Sequence, residues 1–218
     1  IEAAVGSVEE SLAGKELWAV VCNAGIASLN FIDLQPQSRV RRLFEVNTFG
    51  TLAVAAAFLP QLKQSRGRLV IVSSFLARMA VPETLAYCLT KRACLDLAIG
   101  LRRQYYGTGV HICTVEPTGY KTAFADVGTL NDAMDADLMS LPARLRALVD
   151  ERFAEGFKQR AAVLYSWVIR DDPREVVDVM VLAVRDTLPK AHYRAGSARD
   201  KLFLLLLELL PTEVADLV

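Results

Sequence analysis

Tyr87-x-x-x-Lys91, with Ser74 thirteen residues earlier, supplies a phenol, an ammonium and a hydroxyl from one stretch of chain. Gathered in space, these groups can run hydride chemistry at an alcohol or carbonyl carbon. A free phenol has a pKa of about 10, too high for an efficient base near neutral pH. Lys91 follows Tyr87 by one helical turn on the same face. Its charge would favour the phenolate and pull that pKa down, while Ser74 would hydrogen-bond the substrate oxygen. Tyr-x-x-x-Lys alone is a weak signal. The plainer reading is a half-buried helix tyrosine and a solvated lysine.

The elements around these residues strengthen the chemical reading. Residues 68–74 (Arg-Leu-Val-Ile-Val-Ser-Ser) form an apolar strand ending in two hydroxyls, and residues 84–105 form a helix starting just before Tyr87. Open α/β sheets place their sites beyond the carboxyl ends of strands. Ser74 stands at such an end and Tyr87 on the helix that follows. Residues 17–22 and 110–115 supply two more β-branched, apolar strands. Helices are expected over 1–12, from Pro36 as first helical residue to about Leu62, and over 174–187. Gly107 and Gly109 stop the Tyr87 helix. Asn47 lies inside the 36–62 helix among apolar neighbours, where a satisfied buried amide is the plain reading.

Composition bounds the function class. A chain of 218 residues suits one α/β domain with a substantial core. Lys plus Arg and Asp plus Glu both number 25, so net charge is zero, and no basic block argues for nucleic acid. Cys22, Cys88, Cys94 and Cys113 show no metal-ligand or disulfide spacing and read as reduced packing residues. Cys88, beside Tyr87, has a reactive reading that its context does not favour. His111 reads as structural, and neither it nor His192 has a partner at ligand spacing, so no metal site is assigned.

Five motifs in order resemble the short-chain dehydrogenase/reductase family over nearly the whole chain. Asn23-Ala24-Gly25 after the 17–22 strand matches the family's Asn-Asn-Ala-Gly, and Asn47 matches its helix asparagine. Ser74 and Tyr87-x-x-x-Lys91 match the catalytic set. Pro117-Thr118-Gly119-Tyr120-Lys121-Thr122 matches its Pro-Gly-x-x-x-Thr segment. The resemblance implies a Rossmann-like, doubly wound parallel α/β sheet and an NAD(P)-dependent alcohol/ketone oxidoreductase. In that reading Tyr87 exchanges the proton, and Lys91 tunes it and binds the nicotinamide ribose. Ser74 positions the substrate, and Asn47 relays protons through water from Lys91 to solvent. Asn23, Ala24, Gly25, Pro117, Thr118, Gly119 and Thr122 join Tyr87 and Lys91 around NAD or NADP.

Two departures bear on cofactor affinity. Cys22 replaces the first Asn of Asn-Asn-Ala-Gly, and Thr118 stands where the family carries glycine, which would crowd the nicotinamide if glycine-like angles are needed. The family's opening strand, Gly-rich turn and helix have no counterpart here. The expectation is therefore an amino-terminally truncated domain, missing the first βαβαβ portion, with the preference between NAD and NADP unreadable. The 18–22 strand would then expose an unpaired apolar edge, so that the fragment alone folds poorly and binds cofactor weakly. A truncated, non-catalytic binding or regulatory product is a competing reading.

Residues 123–172 are expected to cover the substrate with two helices. Leu138, Met139, Leu141, Leu145, Leu148, Val149, Phe153, Phe157, Val163, Leu164 and Trp167 are available to line a pocket or, individually, simply to pack on the core. Arg144, Arg146 and Arg152 read as solvent-facing, leaving no clamp for a carboxylate and a preference for an apolar substrate. The leucine run at 203–210 is too short to span a bilayer. It suits dimer packing, a lid or an interfacial membrane helix equally. The 17–26 segment, Val115-Glu116-Pro117 and the tail from Tyr193 to Thr212 resemble the retinol and 17β-hydroxysteroid dehydrogenase branch, and Arg78-Met79-Ala80 its 3-hydroxybutyrate members. That branch implies a small retinoid- or steroid-like substrate, a homo-oligomer, and attachment at the endoplasmic reticulum membrane, with cytoplasmic or mitochondrial alternatives.

Overall fold

The computed structural model describes residues 1–147, 149 and 151–215. Leu148 lies outside the described residues, as do the side chains of Leu164 and Trp167. Four strands form a parallel sheet: β1 (Ala19–Cys22), β2 (Arg68–Val72), β3 (His111–Pro117) and β6 (His192–Ala195), in the order β1-β2-β3-β6. Helix α1 (Glu2–Leu12) precedes β1. The expected parallel α/β sheet is present, and β1 is an edge strand paired only with β2 among the described residues.

Strand β2 is buried along its whole length, as parallel strands covered on both faces must be. Its alternating side chains feed two cores. Leu69 and Ile71 meet Ala55, Leu59 and Leu62 of α3 (Gly50–Ser65) and Cys94, Ala98 and Leu101 of α4 (Leu85–Gln104). Val70 and Val72 meet Val115, Tyr193 and Ala183 of α8 (Arg174–Arg185) on the other face. The chain crosses the sheet in one direction while the covering helix changes face. The β3-to-β6 crossover therefore has the opposite hand from the two before it.

The helix expected from Pro36 begins one residue later. Pro36 is the N-cap of α2 (Gln37–Phe44), which runs through a π-helical turn (Glu45–Phe49) into α3. At 29 residues and mean hydropathy 1.4, Gln37–Ser65 has the length and composition of a membrane span. It buries Leu43, Asn47, Thr51, Leu59 and Leu62 and is a core helix of the sheet. The helix ends where Arg66 takes a left-handed conformation (φ 51°). Gly67 follows, and a Cβ there would stand 2.3 Å from the Trp18 carbonyl oxygen. Only glycine lets this turn meet the start of β1.

The expected covering segment leaves and re-enters the body through a second small sheet. Gly119–Tyr120 (β4) pairs in parallel with Ile169–Arg170 (β5). Glu175 fastens this base, accepting two hydrogen bonds from Arg170 (2.6 and 2.7 Å) and one from Tyr120 (3.0 Å). Among the described residues three α-helices run between β4 and β5, one more than expected: α5 (Val127–Ser140), the short α6 (Ala143–Arg146) and α7 (Glu151–Val168). Leu130, Met134, Phe157 and Ala161 pack on Leu29 and Phe31 of the loop after β1. Phe157, a pocket candidate, is thus core, whereas Met139 and Val163 face solvent. Arg144, Arg146 and Arg152 are exposed, as expected.

The leucine-rich tail folds as α9 (Ala198–Leu209), started by a capping box between Ser197 and Asp200. Leu204 is fully buried, while Leu202, Phe203, Leu205, Leu206 and Leu209 remain exposed. A four-residue helix, α10 (Thr212–Ala215), follows.

Candidate active site

Parallel strands put their carboxyl ends on one edge, and the residues marked by the sequence converge there. Ser73 and Ser74 follow β2, Asn23–Gly25 follow β1, and Pro117 closes β3. Tyr87 and Lys91 lie in the first turns of α4, both buried. Beyond Ser74 a 3₁₀ turn, Phe75–Ala77, packs on α4. The Ser74 hydroxyl accepts a hydrogen bond from Leu76 N–H (3.1 Å), which fixes its rotamer. The Ser73 hydroxyl donates to the Lys91 carbonyl (2.7 Å), locking the end of β2 to the helix that carries Tyr87.

Lys91 is 3% exposed and donates from Nζ to the Val72 carbonyl at 3.0 Å. Burial disfavours the ammonium and holds its pKa below the ordinary lysine value. The same Nζ lies 5.9 Å from the centroid of the Tyr87 ring, so the pair does share one face of the helix. Phe124 stands 6.0 Å from Tyr87, ring to ring, and is half exposed.

Asn47 is fully buried, and its amide is spent on neighbours. Its Oδ1 accepts from Ile26 N–H (2.8 Å); its Nδ2 donates to Ile26 O (2.9 Å) and Thr90 Oγ1 (3.0 Å). Its carbonyl accepts from Thr51 Oγ1 (2.7 Å) and Cys94 Sγ (3.0 Å). The π-helical turn, in which Gly50 N–H reaches back to Glu45 O, presents Asn47 this way. These bonds make Asn47 a clamp, the satisfied buried amide of the plain reading. The clamp holds Ile26, and so the Asn23–Gly25 turn, against Lys91. A Cβ on Gly25 would sit 3.3 Å from Lys91 Nζ and 3.4 Å from Asn47 Oδ1.

The segment after β3 departs from one expectation. Thr118 has no left-handed backbone, so the replacement of glycine strains nothing. Its N–H extends the β3–β6 ladder to Ala195 O (3.0 Å), and its methyl packs over Gly196. Thr122 is exposed, with Oγ1 3.3 Å from Tyr120 O. Cys88 is buried, and burial pushes its thiol pKa up, which disfavours the thiolate. Cys22 and Cys113 are pushed up to about 11 by burial.

Charged residues flanking the site form a network that motif reading had not linked. Glu116, one residue before Pro117, is fully buried. It receives a fork from Arg78 (Nε 2.6 Å, Nη2 2.9 Å), the Thr114 hydroxyl (2.7 Å) and His192 Nδ1 (3.0 Å). Burial works to raise its pKa, but the bonds from Arg78 and Thr114 outweigh it and hold the carboxyl below its ordinary value. The signal was present in the chain: a carboxylate in an otherwise apolar strand must find a partner. Which partner was not legible, since Arg78 and His192 are distant in sequence.

The model of the family described as short chain dehydrogenase matches residues 1–131. Estradiol 17-beta-dehydrogenase 2 of Mus musculus is 38% identical over 140 residues, covering 64% of this chain and 37% of that protein. Retinol dehydrogenase 7 of the same species is 27% identical over 99% of this chain and 67% of its own. Mitochondrial D-beta-hydroxybutyrate dehydrogenase of Rattus norvegicus is 34% identical over 56% of this chain and 36% of its own. The chain therefore spans between about a third and two thirds of these relatives. Two solved short-chain dehydrogenases share the fold. One from Burkholderia cenocepacia, in complex with NADP, has a TM-score of 0.64 at 22% identity, over 93% of this chain and 71% of its own. One from Mycobacterium paratuberculosis, bound to NAD, has a TM-score of 0.67 at 17% identity, over 92% and 70%. With a family model matching more than half of its length and the motif residues gathered at one sheet edge, this chain belongs to the short-chain dehydrogenase family.

Proposed function

We propose that the protein is an NAD(P)-dependent oxidoreductase that interconverts an alcohol and its ketone or aldehyde. The observation that carries this reading is the buried Lys91, seated on Val72 O beside Gly25 and one turn from Tyr87. A buried ammonium with one donor placed on a carbonyl suits ligand hydroxyls, and the absence of a side chain at Gly25 leaves room for close approach. The residues present thus fit the nicotinamide ribose, with Asn23, Ala24, Pro117, Thr118, Gly119 and Thr122 around the same edge. A bound nicotinamide supplies the hydride acceptor or donor.

The chain's own groups do the rest. Tyr87 holds or releases the proton at the substrate oxygen. Lys91, when charged, stabilises the phenolate. The Ser74 hydroxyl donates toward the substrate oxygen while its own oxygen is held by Leu76 N–H. Asn47 positions the Gly25–Ile26 backbone and completes the water relay from Lys91 to solvent. The 123–172 segment covers the site, with Phe124 beside Tyr87 as an apolar wall. The exposure of Arg144, Arg146 and Arg152 supports an apolar retinoid- or steroid-like substrate over a hydroxy acid. The exposed leucines of α9 support contact with a membrane surface, and homo-oligomerisation belongs to the same reading.

Tyr87→Phe is the deciding variant. It should abolish turnover across retinol, hydroxysteroid and 3-hydroxybutyrate substrates, followed by nicotinamide absorbance, while nucleotide binding persists. Retained turnover would remove Tyr87 from the chemistry.

A further inference from the structure

We propose that Arg78 is a positioning residue for Ser74, held by the buried carboxylate of Glu116 and tied through Glu208 to helix α9. The inference rests on the reading of Ser74 as the residue that holds the substrate oxygen.

The turn that carries Ser74 is short. Ala77 N–H closes it on Ser74 O at 3.0 Å, and Arg78 N–H on Phe75 O at 3.1 Å. Such 3₁₀ bonds are poorer than those of a full helix and hold a turn loosely. Arg78 stands at its end and supplies the anchor. Nε and Nη2 grip both oxygens of Glu116, while Nη1 donates to Glu208 at 2.9 Å. Glu208 also accepts from Arg194 Nη2 at 3.0 and 3.1 Å. Arg194 Nε lies 3.7 Å from Glu116, so two guanidinium groups and two carboxylates close a charge-balanced ring joining the Ser74 turn, the end of β3, β6 and α9.

The place of the ring matters more than its energy. Ion pairs out of water lose in desolvation much of what they gain in attraction. A planar fork on a carboxylate does fix direction, which a lysine's point charge does not. Glu116 directly precedes Pro117, so one pair sets the Ser74 turn relative to the segment after β3. Those are the two strand ends between which substrate and nicotinamide must meet.

The test is a double-mutant cycle on the full chain, with retinol and hydroxysteroid substrates. Arg78→Lys keeps the charge and loses the fork. It should lower kcat by about tenfold or more, with KM for the nucleotide unchanged. In a Ser74→Ala background the same change should lower kcat less than about twofold, because the group it positions is gone. Equal losses in both backgrounds would overturn the proposal and leave Arg78 as a general staple. Glu208→Gln, on the outer side of the ring, should give a smaller loss with the same dependence on Ser74. It carries the cycle if Arg78→Lys does not fold. Hydrogen exchange of residues 74–78 is read in parallel. Faster exchange there in Arg78→Lys, with the α4 amides unchanged, supports positioning; unchanged exchange overturns it. A parent that binds NAD or NADP yet turns over none of these substrates would defeat the proposed function, and the exchange result would still decide the role of Arg78.

Discussion

At the scale of single residues, Glu116 shows how a buried charge ties distant segments together. Its carboxyl is held below the ordinary 4.5, so the fold favours the charged form. That contribution is present above about pH 4.5 and is lost as pH falls through the lower folded value. His192 acts in the same direction at higher pH. Burial lowers its pKa from 6.5, so the fold favours the neutral ring and loses stability as pH falls below 6.5. Glu116→Gln has no charge to lose. It should be less stable than the parent at pH 7, by roughly 3 kcal/mol for a broken buried pair, and should lose less on acidification. Parallel acid-unfolding curves followed by circular dichroism would contradict this.

At the scale of elements, helices earn their positions through one face. Helix α9 shows the contrast within a single run of leucines: Leu204 is fully buried and Leu206 is 52% exposed. Leu204→Ala should cost about 2–5 kcal/mol, as for other large-to-small changes in a packed site. Leu206→Gln should stay within about 0.5 kcal/mol. Chemical denaturation measures both, and equal effects would mean that α9 docks by another face. The sequence identified the apolar run but not its orientation. A run of consecutive leucines has no helical stripe, and the docked side is the one that buries Leu204 and brings Glu208 to Arg78 and Arg194. The 36–62 helix was legible for the opposite reason: its apolar residues are dense and Pro36 marks its start. Its π-helical turn left no compositional trace.

At the scale of the whole molecule, β1 is the strand with an open side within residues 1–218. Among the described residues only β2 pairs with it, and Val21 is 39% exposed beside a half-exposed Trp18. An apolar edge strand of this kind templates pairing with other chains. In a polypeptide of residues 1–218, Val21→Lys should therefore lower concentration-dependent association, measured by light scattering at matched concentrations, without shifting the melting temperature. Unchanged scattering would place the association surface elsewhere, with the leucines of α9 next in line.

What the sequence alone determined is local and ordered. Tyr87 and Lys91 share a helix face because they are four residues apart, and Ser74 ends a strand because an apolar β-branched run stops there. The parallel sheet follows from the alternation of such strands with helices. Tertiary structure decided what depends on residues meeting across long separations. It gave the buried Asn47 side chain its partners, Ile26 and Thr90. It gave Thr118 an ordinary backbone conformation. It brought Arg78, Glu116, His192, Arg194 and Glu208 into one network. The physical reason is that propensity and periodicity act over a few residues, whereas the partner of a buried polar group is chosen by the packing of the whole chain.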